Sequence, residues 1–198
     1  MTRFSRFGDV GQAFPIYIVV VAGLLFLAFA YLAVGQAAAN RNGAQTAADA
    51  AALAAAQEAR DQLTDAWIEV VLDPDEWQDI FDGNAPVVDA CGRAYELAAM
   101  NDAEATCNWD SPLRVHVEAR TNKPVGESIV PGTEGKKSTE TATAVIEPRC
   151  DFDPLGAGAD DDVLPSLRCD DGEVWELDPE DLVDLPKPED LFDVHLAD

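Results

Sequence analysis

Between Asp9 and Arg41 the chain carries no charged side chain. Inside that interval, Ala13 to Val34 reads AFPIYIVVVAGLLFLAFAYLAV, an unbroken apolar run. Twenty-odd helical residues at about 1.5 Å rise span roughly 30 Å, the thickness of a bilayer hydrocarbon core. A helix apolar all round needs either lipid or a large protein to cover it, and the chain has 198 residues. We therefore expect a transmembrane helix over 13–35, with Ala13, Pro15, Gly23, Tyr31 and Val34 inside it, preceded by a cytoplasmic segment over 1–12. Arg3, Arg6 and the amino terminus lie before the run, opposed by Asp9, whereas Arg41, Asp49, Glu58 and Asp61 follow it. Basic residues favour the cytoplasmic side, which points to a cytoplasmic amino terminus and an extracytoplasmic carboxyl portion. A secretory signal has a shorter apolar stretch and a small-residue cleavage site. Ala37-Ala38-Ala39 has the residues of such a site, but the length of the run and the helical sequence beyond it favour a retained anchor.

The remainder leaves room for one modest domain. It is acidic: 38 Asp and Glu stand against 13 Lys and Arg, a formal net charge of −25. Phosphates would be repelled, so nucleic acid is not expected as a partner, nor is lying flat on anionic lipid. Solubility outside the membrane is the plain reading of the acidity. Cys91, Cys107, Cys150 and Cys169 all follow the anchor, with no CxxC pair and only two histidines, His116 and His195. A zinc site is not expected from that set. Disulfides are, with three pairings possible. We favour Cys91–Cys107 and Cys150–Cys169, because each closes a short loop and contributes about 3 kcal/mol on the loop-entropy model.

The apolar run passes without a turn signal into GQAAANRNGAQTAADAAALAAAQEARDQL, rich in strong helix formers. We expect a helical extension over 36–72. Every fourth position is small: Gly35, Ala39, Gly43, Ala47, Ala51, Ala55 and Ala59. An alanine-rich helix produces such rows by chance, yet a continuous small ridge lets another helix approach closely. Alanine buries little area, so packing against other helices suits this row better than covering a globular core. Arg41, Gln45 and Asp49 form a polar row on an adjoining face.

A small α+β domain is expected over 73–150. Pro74 in Asp73-Pro74-Asp75 suits a first helical position, and PVVDACGRAYELAAMN (86–101) has helical spacing. Leu113 to Arg120 alternates strictly, with Leu113, Val115, Val117 and Ala119 on one face, which is a strand pattern. Lys137 to Ile146 is its expected antiparallel partner, with Ala142, Ala144 and Ile146 inward. The short apolar piece Ile129-Val130 is expected against a core edge. From 151 to 198 the composition predicts an acidic, partly disordered tail. It contains a short repeat, Pro179-Glu180-Asp181-Leu182-Val183-Asp184-Leu185 and Pro188-Glu189-Asp190-Leu191-Phe192-Asp193-Val194.

No catalytic constellation stands out. GxSxG, Walker A, HExxH and GxGxxG are absent from the sequence. His116 falls on the solvent face of the expected strand, and His195 lies near the end. Asp151-Phe152-Asp153-Pro154-Leu155-Gly156 resembles the opening of a calcium loop without its third acidic ligand or closing glutamate. Trp67, Trp77, Trp109 and Trp175 are expected to fill a small core or interface. No catalytic, cofactor or metal residue and no small-molecule substrate is assigned.

The first sixty residues resemble the amino-terminal segment of the TadE/TadG-like pilus-assembly proteins. The residues that carry this are Gly11-Gln12-Ala13 before the run, the Tyr31-to-Gln36 exit, and Gln45-Thr46-Ala47-Ala48-Asp49-Ala50-Ala51-Ala52-Leu53-Ala54 after it. Within them Gly11, Gln12, Ala48, Asp49, Ala50 and Leu53 make the family motif. The resemblance implies a single-pass, pilin-like membrane protein of a tight-adherence (Flp-type) pilus or secretion apparatus, not an enzyme, with other pilin-like or Tad-type proteins and the lipid bilayer as partners. Pilin-like relatives are cut after a glycine with glutamate five residues on. Here Gly11 would place Ile16 there, and Gly8 would place Ala13, so no such processing is expected and a stationary assembly factor is favoured. Two other readings are a membrane-tethered binding module acting through the acidic tail, and an anchored hydrolase.

Overall fold

A computed structural model describes residues 13–126, 135–155 and 163–197, with side chains from Pro15 onward. The expected piece Ile129-Val130, the motif residues Gly11 and Gln12, and Gly156 of the calcium-like stretch lie outside the described residues.

One helix, α1, runs without a break from Ala13 to Glu69, 57 residues. Nothing between Pro15 and Pro74 forces it to stop, because the glycines are tolerated singly and alanine dominates from position 37. Pro74 lacks an N–H and disfavours helical geometry in the residue before it, so the chain turns there and restarts as α2 (Pro74–Phe81), with Pro74 in its first turn. Helix α3 (Ala90–Met100) follows, shorter than the expected 86–101. Asp89 before it is left-handed, with φ 52°, which puts the boundary at Ala90.

Among the described residues, four strands make an antiparallel sheet in the order β1-β2-β3-β7. These are β1 (Ala103–Ser111), β2 (Arg114–Thr121), β3 (Thr139–Pro148) and β7 (Phe192–Leu196). The expected alternation is realised: Val115 pairs with Ala144 and Val117 with Ala142, and all four are buried together with Ala119 and Ile146. On the opposite face Glu104, Thr106, Asn108, Glu118, Arg120 and Thr141 are exposed, as one-sided antiparallel sheets are. A second antiparallel sheet is built from β4 (Cys150–Phe152), β5 (Leu167–Cys169) and β6 (Val174–Trp175). Both favoured disulfides are present, Cys91–Cys107 and Cys150–Cys169. The first ties α3 to β1 and the second joins facing residues of β4 and β5. Arg149 links three segments, donating to the Asp170 carboxylate (2.8 Å) and to the Glu189 carbonyl (2.8 Å). The bond to Asp170 raises its already basic pKa further.

Two features depart from the composition-based reading. The stretch after 151, expected as a tail, supplies part of β4, then β5, β6, a one-turn helix α4 (Pro188–Leu191) and β7. Leu191 and Phe192 are buried, and β7 pairs with β3 from Ala144↔Leu196 to Pro148↔Phe192. Burial of alternate apolar residues outweighs the acidity of their neighbours, whose side chains point to solvent. The second departure is β1, whose inward residues Ala103, Ala105, Cys107 and Trp109 are mostly small and so give little hydrophobic contrast in sequence.

The far end of α1 closes on an aromatic cluster. Trp67 and Trp77 are both buried and meet edge-on with centroids 5.4 Å apart. Trp77 contacts Phe152 at 5.2 Å, and Phe81 reaches Phe192 at 5.4 Å. This cluster joins α1, α2, β4 and β7, and the Trp77 indole N–H donates to the Val70 carbonyl at 3.1 Å.

Candidate functional site: the two halves of the long helix

Helix α1 has two environments. From Pro15 to Val34 almost every side chain is exposed, including Ile16 (64%), Phe26 (64%) and Tyr31 (83%). An 18-residue window here has mean hydropathy 2.6 and no buried share, so the helix is long and apolar enough to cross a membrane. Among the described residues nothing packs around it. Exposure of this many large apolar side chains in water is what soluble domains avoid.

From Ala44 onward the same helix is the centre of the domain. Ala44, Ala47, Ala48, Ala51, Ala52, Ala55, Ala56 and Ala59 are all at 0% exposure. This corrects the expectation for the small row. Its lower half, Ala47, Ala51, Ala55 and Ala59, was expected to face helices of other proteins; it is covered by the chain's own α3 and main sheet. The physical reason is in α3, whose buried side chains are Ala90, Ala94 and Ala98, again every fourth position. Small faces small, so the two helices approach closely within one chain. The upper part of the row is different: Gly35, Ala39 and Gly43 are exposed, and a Cβ added at Gly35 or Gly43 would meet nothing within 4 Å.

Four of the six motif residues fall on this inner half. Ala48 is buried; Asp49, Ala50 and Leu53 are half-buried. The adjoining polar row meets β3. Arg41 pairs with Glu140 at 2.6 Å, and Gln45 donates both to the Asp49 carboxylate (2.7 Å) and to the Thr141 carbonyl (3.3 Å). Asn40, notable in sequence only for its weak helix propensity, clamps the domain to the helix. Its amide donates to the Lys123 carbonyl (3.0 Å), and its oxygen accepts from the Ser138 amide (3.1 Å) and the Thr121 hydroxyl (3.2 Å).

Chemistry-bearing side chains among the described residues do not converge. Among the described residues no group of three or more His, Cys, Asp or Glu side chains is placed to hold a metal ion. His116 sits half-buried beside the Thr143 hydroxyl (3.1 Å) on the open sheet face, and His195 lies beside Asp193 (3.1 Å). Trp67 and Trp77 fill the core; Trp109 and Trp175 are partly buried against it.

Residues 11–58 match the family model described as Flp pilus-assembly TadE/G-like. The matched segment runs from just before the bare helix to well inside the buried alanine face, so it spans both environments of α1. No curated protein and no solved structure matches the chain.

Proposed function

We propose that this chain is a single-pass, membrane-anchored structural component of a Flp (Tad)-type pilus or secretion apparatus, non-enzymatic, with its amino terminus cytoplasmic and its folded domain extracytoplasmic. The observation that carries the reading is the division of one unbroken helix into a bare apolar half and a half enclosed by its own domain, within a segment similar to the TadE/G-like family. The bare half is the anchor, over 13–35. It is also the part of the helix available to other pilin-like helices, through lipid-facing side chains and the small positions Gly35, Ala39 and Gly43 at its exit. Packing between helices in a bilayer uses such small residues because close backbone approach supplies the contacts. The proposed organisation is therefore an anchor over 13–35, a domain centred on α1 from Ala44 onward, and the closing strand β7. A tethered binding module acting through its acidic end has less to act with, since β7 is built into the sheet and Leu191 and Phe192 are buried.

Replacing residues 13–35 by a cleavable secretion signal tests the reading. The exported domain should accumulate folded, with both disulfides formed, and fail to support pilus assembly or secretion. Normal assembly by that unanchored domain would overturn the proposal.

A further inference from the structure

We infer that the end of the domain at the membrane exit is a lipid-contacting surface, in which Lys136 and Lys137, with Lys123 and Arg41 beside them, engage anionic phospholipid headgroups around the chain's own anchor. The inference rests on the anchor reading above. Its geometry comes from Asn40, which fastens both ends of the β2–β3 connection to α1 through the Lys123 carbonyl and the Ser138 amide. Asn40 is six residues beyond Val34, about 9 Å along the helix. The headgroup layer extends roughly 5–8 Å beyond the hydrocarbon on each side. The ends of the connection are thus held at the outer margin of the headgroups, within reach of a flexible lysine stem.

The charge distribution fits that placement. Three of the four lysines in this acidic chain, Lys123, Lys136 and Lys137, lie in the connection, and Lys187 is the fourth. Lys136 and Lys137 are exposed and take part in none of the ion pairs found among the described residues, whereas Lys123 pairs with Asp102 (3.0 Å) and Arg41 with Glu140 (2.6 Å). Residues 121–138 also contain Glu127 and Glu134, so the connection is near neutral, against −25 for the whole chain. The acidic bulk stands elsewhere. Asp65, Glu69, Asp75 and Glu76 lie around the far end of α1, and Trp67 is 27 residues from Asn40, about 40 Å along the axis. That is several times the screening length of about 8–10 Å at physiological salt. Anionic lipid therefore meets Lys136 and Lys137 while those distant carboxylates are screened from it, the nearer Asp102 and Glu140 being paired with Lys123 and Arg41, and the domain is held upright on its anchor.

The test uses the full chain reconstituted in vesicles of phosphatidylcholine, with or without one quarter phosphatidylglycerol. The reaction of each lysine with acetic anhydride is followed by mass spectrometry. A headgroup phosphate keeps the ammonium protonated and so unreactive. Lys136 and Lys137 should react about fivefold more slowly in the anionic vesicles, the factor corresponding to the roughly 1 kcal/mol a lysine gains beside an anionic surface. High salt should remove the difference, and Lys187 should be unaffected. Equal rates in both lipids, or an equal slowing of all four lysines, overturns the inference. Flotation of the same samples separates the two readings: a chain that floats with both vesicles but shows no lysine protection retains its anchor and loses this surface, and a chain that does not float sinks both.

Discussion

Ala94→Leu tests the seam between the two helices. Ala94 is at 0% exposure in the middle of α3, flanked by Ala90 (2%) and Ala98 (0%), opposite a face of α1 made of fully buried alanines. A buried leucine side chain would gain about 1.5–3 kcal/mol if space were available. Here the only way to make space is to push α3 away from α1, which strips contacts from every other alanine in the seam. The Cys91–Cys107 bond holds the start of α3 to β1 and resists that movement. Overpacking of this kind costs about 1–3 kcal/mol, and we expect the upper part of that range. With a urea dependence of about 2 kcal/mol per molar, the unfolding midpoint of the full chain in detergent should fall by about 1 M. Trp67 and Trp77, both buried, report the transition by fluorescence. Ala99→Leu is the control, since Ala99 is exposed on the same helix. Leucine is nearly as good a helix former as alanine, and its effect should stay within about 0.5 kcal/mol. If Ala94→Leu leaves the midpoint within about 0.2 M of the parent, the close-packed seam is wrong. The same logic assigns a loss of function in Ala47→Leu or Ala51→Leu to the domain's own packing, not to docking on another helix.

Other outcomes are expected from other parts of the fold. Phe192→Ala removes a side chain at 1% exposure that packs on Phe81. It should cost about 3–5 kcal/mol and release amide protection at Val145 and Glu147, the β3 residues whose backbone faces β7, while β1 and β2 stay protected; uniform protection would contradict the role given to β7. Replacing Cys91 and Cys107 together by serine opens a loop of 16 residues' separation and should lower stability by about 3 kcal/mol, read as a drop in the denaturation midpoint. Asn40→Ala leaves the Lys123 carbonyl and the buried Thr121 hydroxyl without their helix partner, at a cost of about 1–3 kcal/mol; faster hydrogen exchange should be confined to residues 121–123 and 138. Gly83→Ala should also destabilise, because Gly83 has φ +77° and an added Cβ would lie 2.7 Å from Leu113 Cδ2. The left-handed backbone alone costs about 1–2 kcal/mol, measurable in the same unfolding experiment.

Much of this architecture is readable residue by residue. A run without charge from Ala13 to Val34 specifies a helix long and apolar enough to cross a membrane, because length and composition alone decide that. The alternation in β2 and β3, the proline that opens α2 and the two short cysteine loops are also local signals, and each is realised. The repeat after Asp178 shows where local information stops. Both copies turn alike, with the Asp181 amide on the Asp178 carbonyl and the Asp190 amide on the Lys187 carbonyl, each at 3.0 Å. Only the second copy becomes a strand in the main sheet. Pro186 ends the first copy three residues after Val183, whereas Phe192-Asp193-Val194-His195-Leu196 is free to donate to β3.

The alanine row makes the same point at larger scale. Its spacing permitted close approach to α1, since small side chains leave the backbone within reach of a neighbour. Which partner does so was decided in three dimensions, by a second helix with alanines at the same spacing and a sheet whose β2–β3 connection is tied on by Asn40. Sequence specifies which surfaces can be close; the geometry of the rest of the chain selects what fills them, because burial free energy depends on what lies opposite and not on the residue alone.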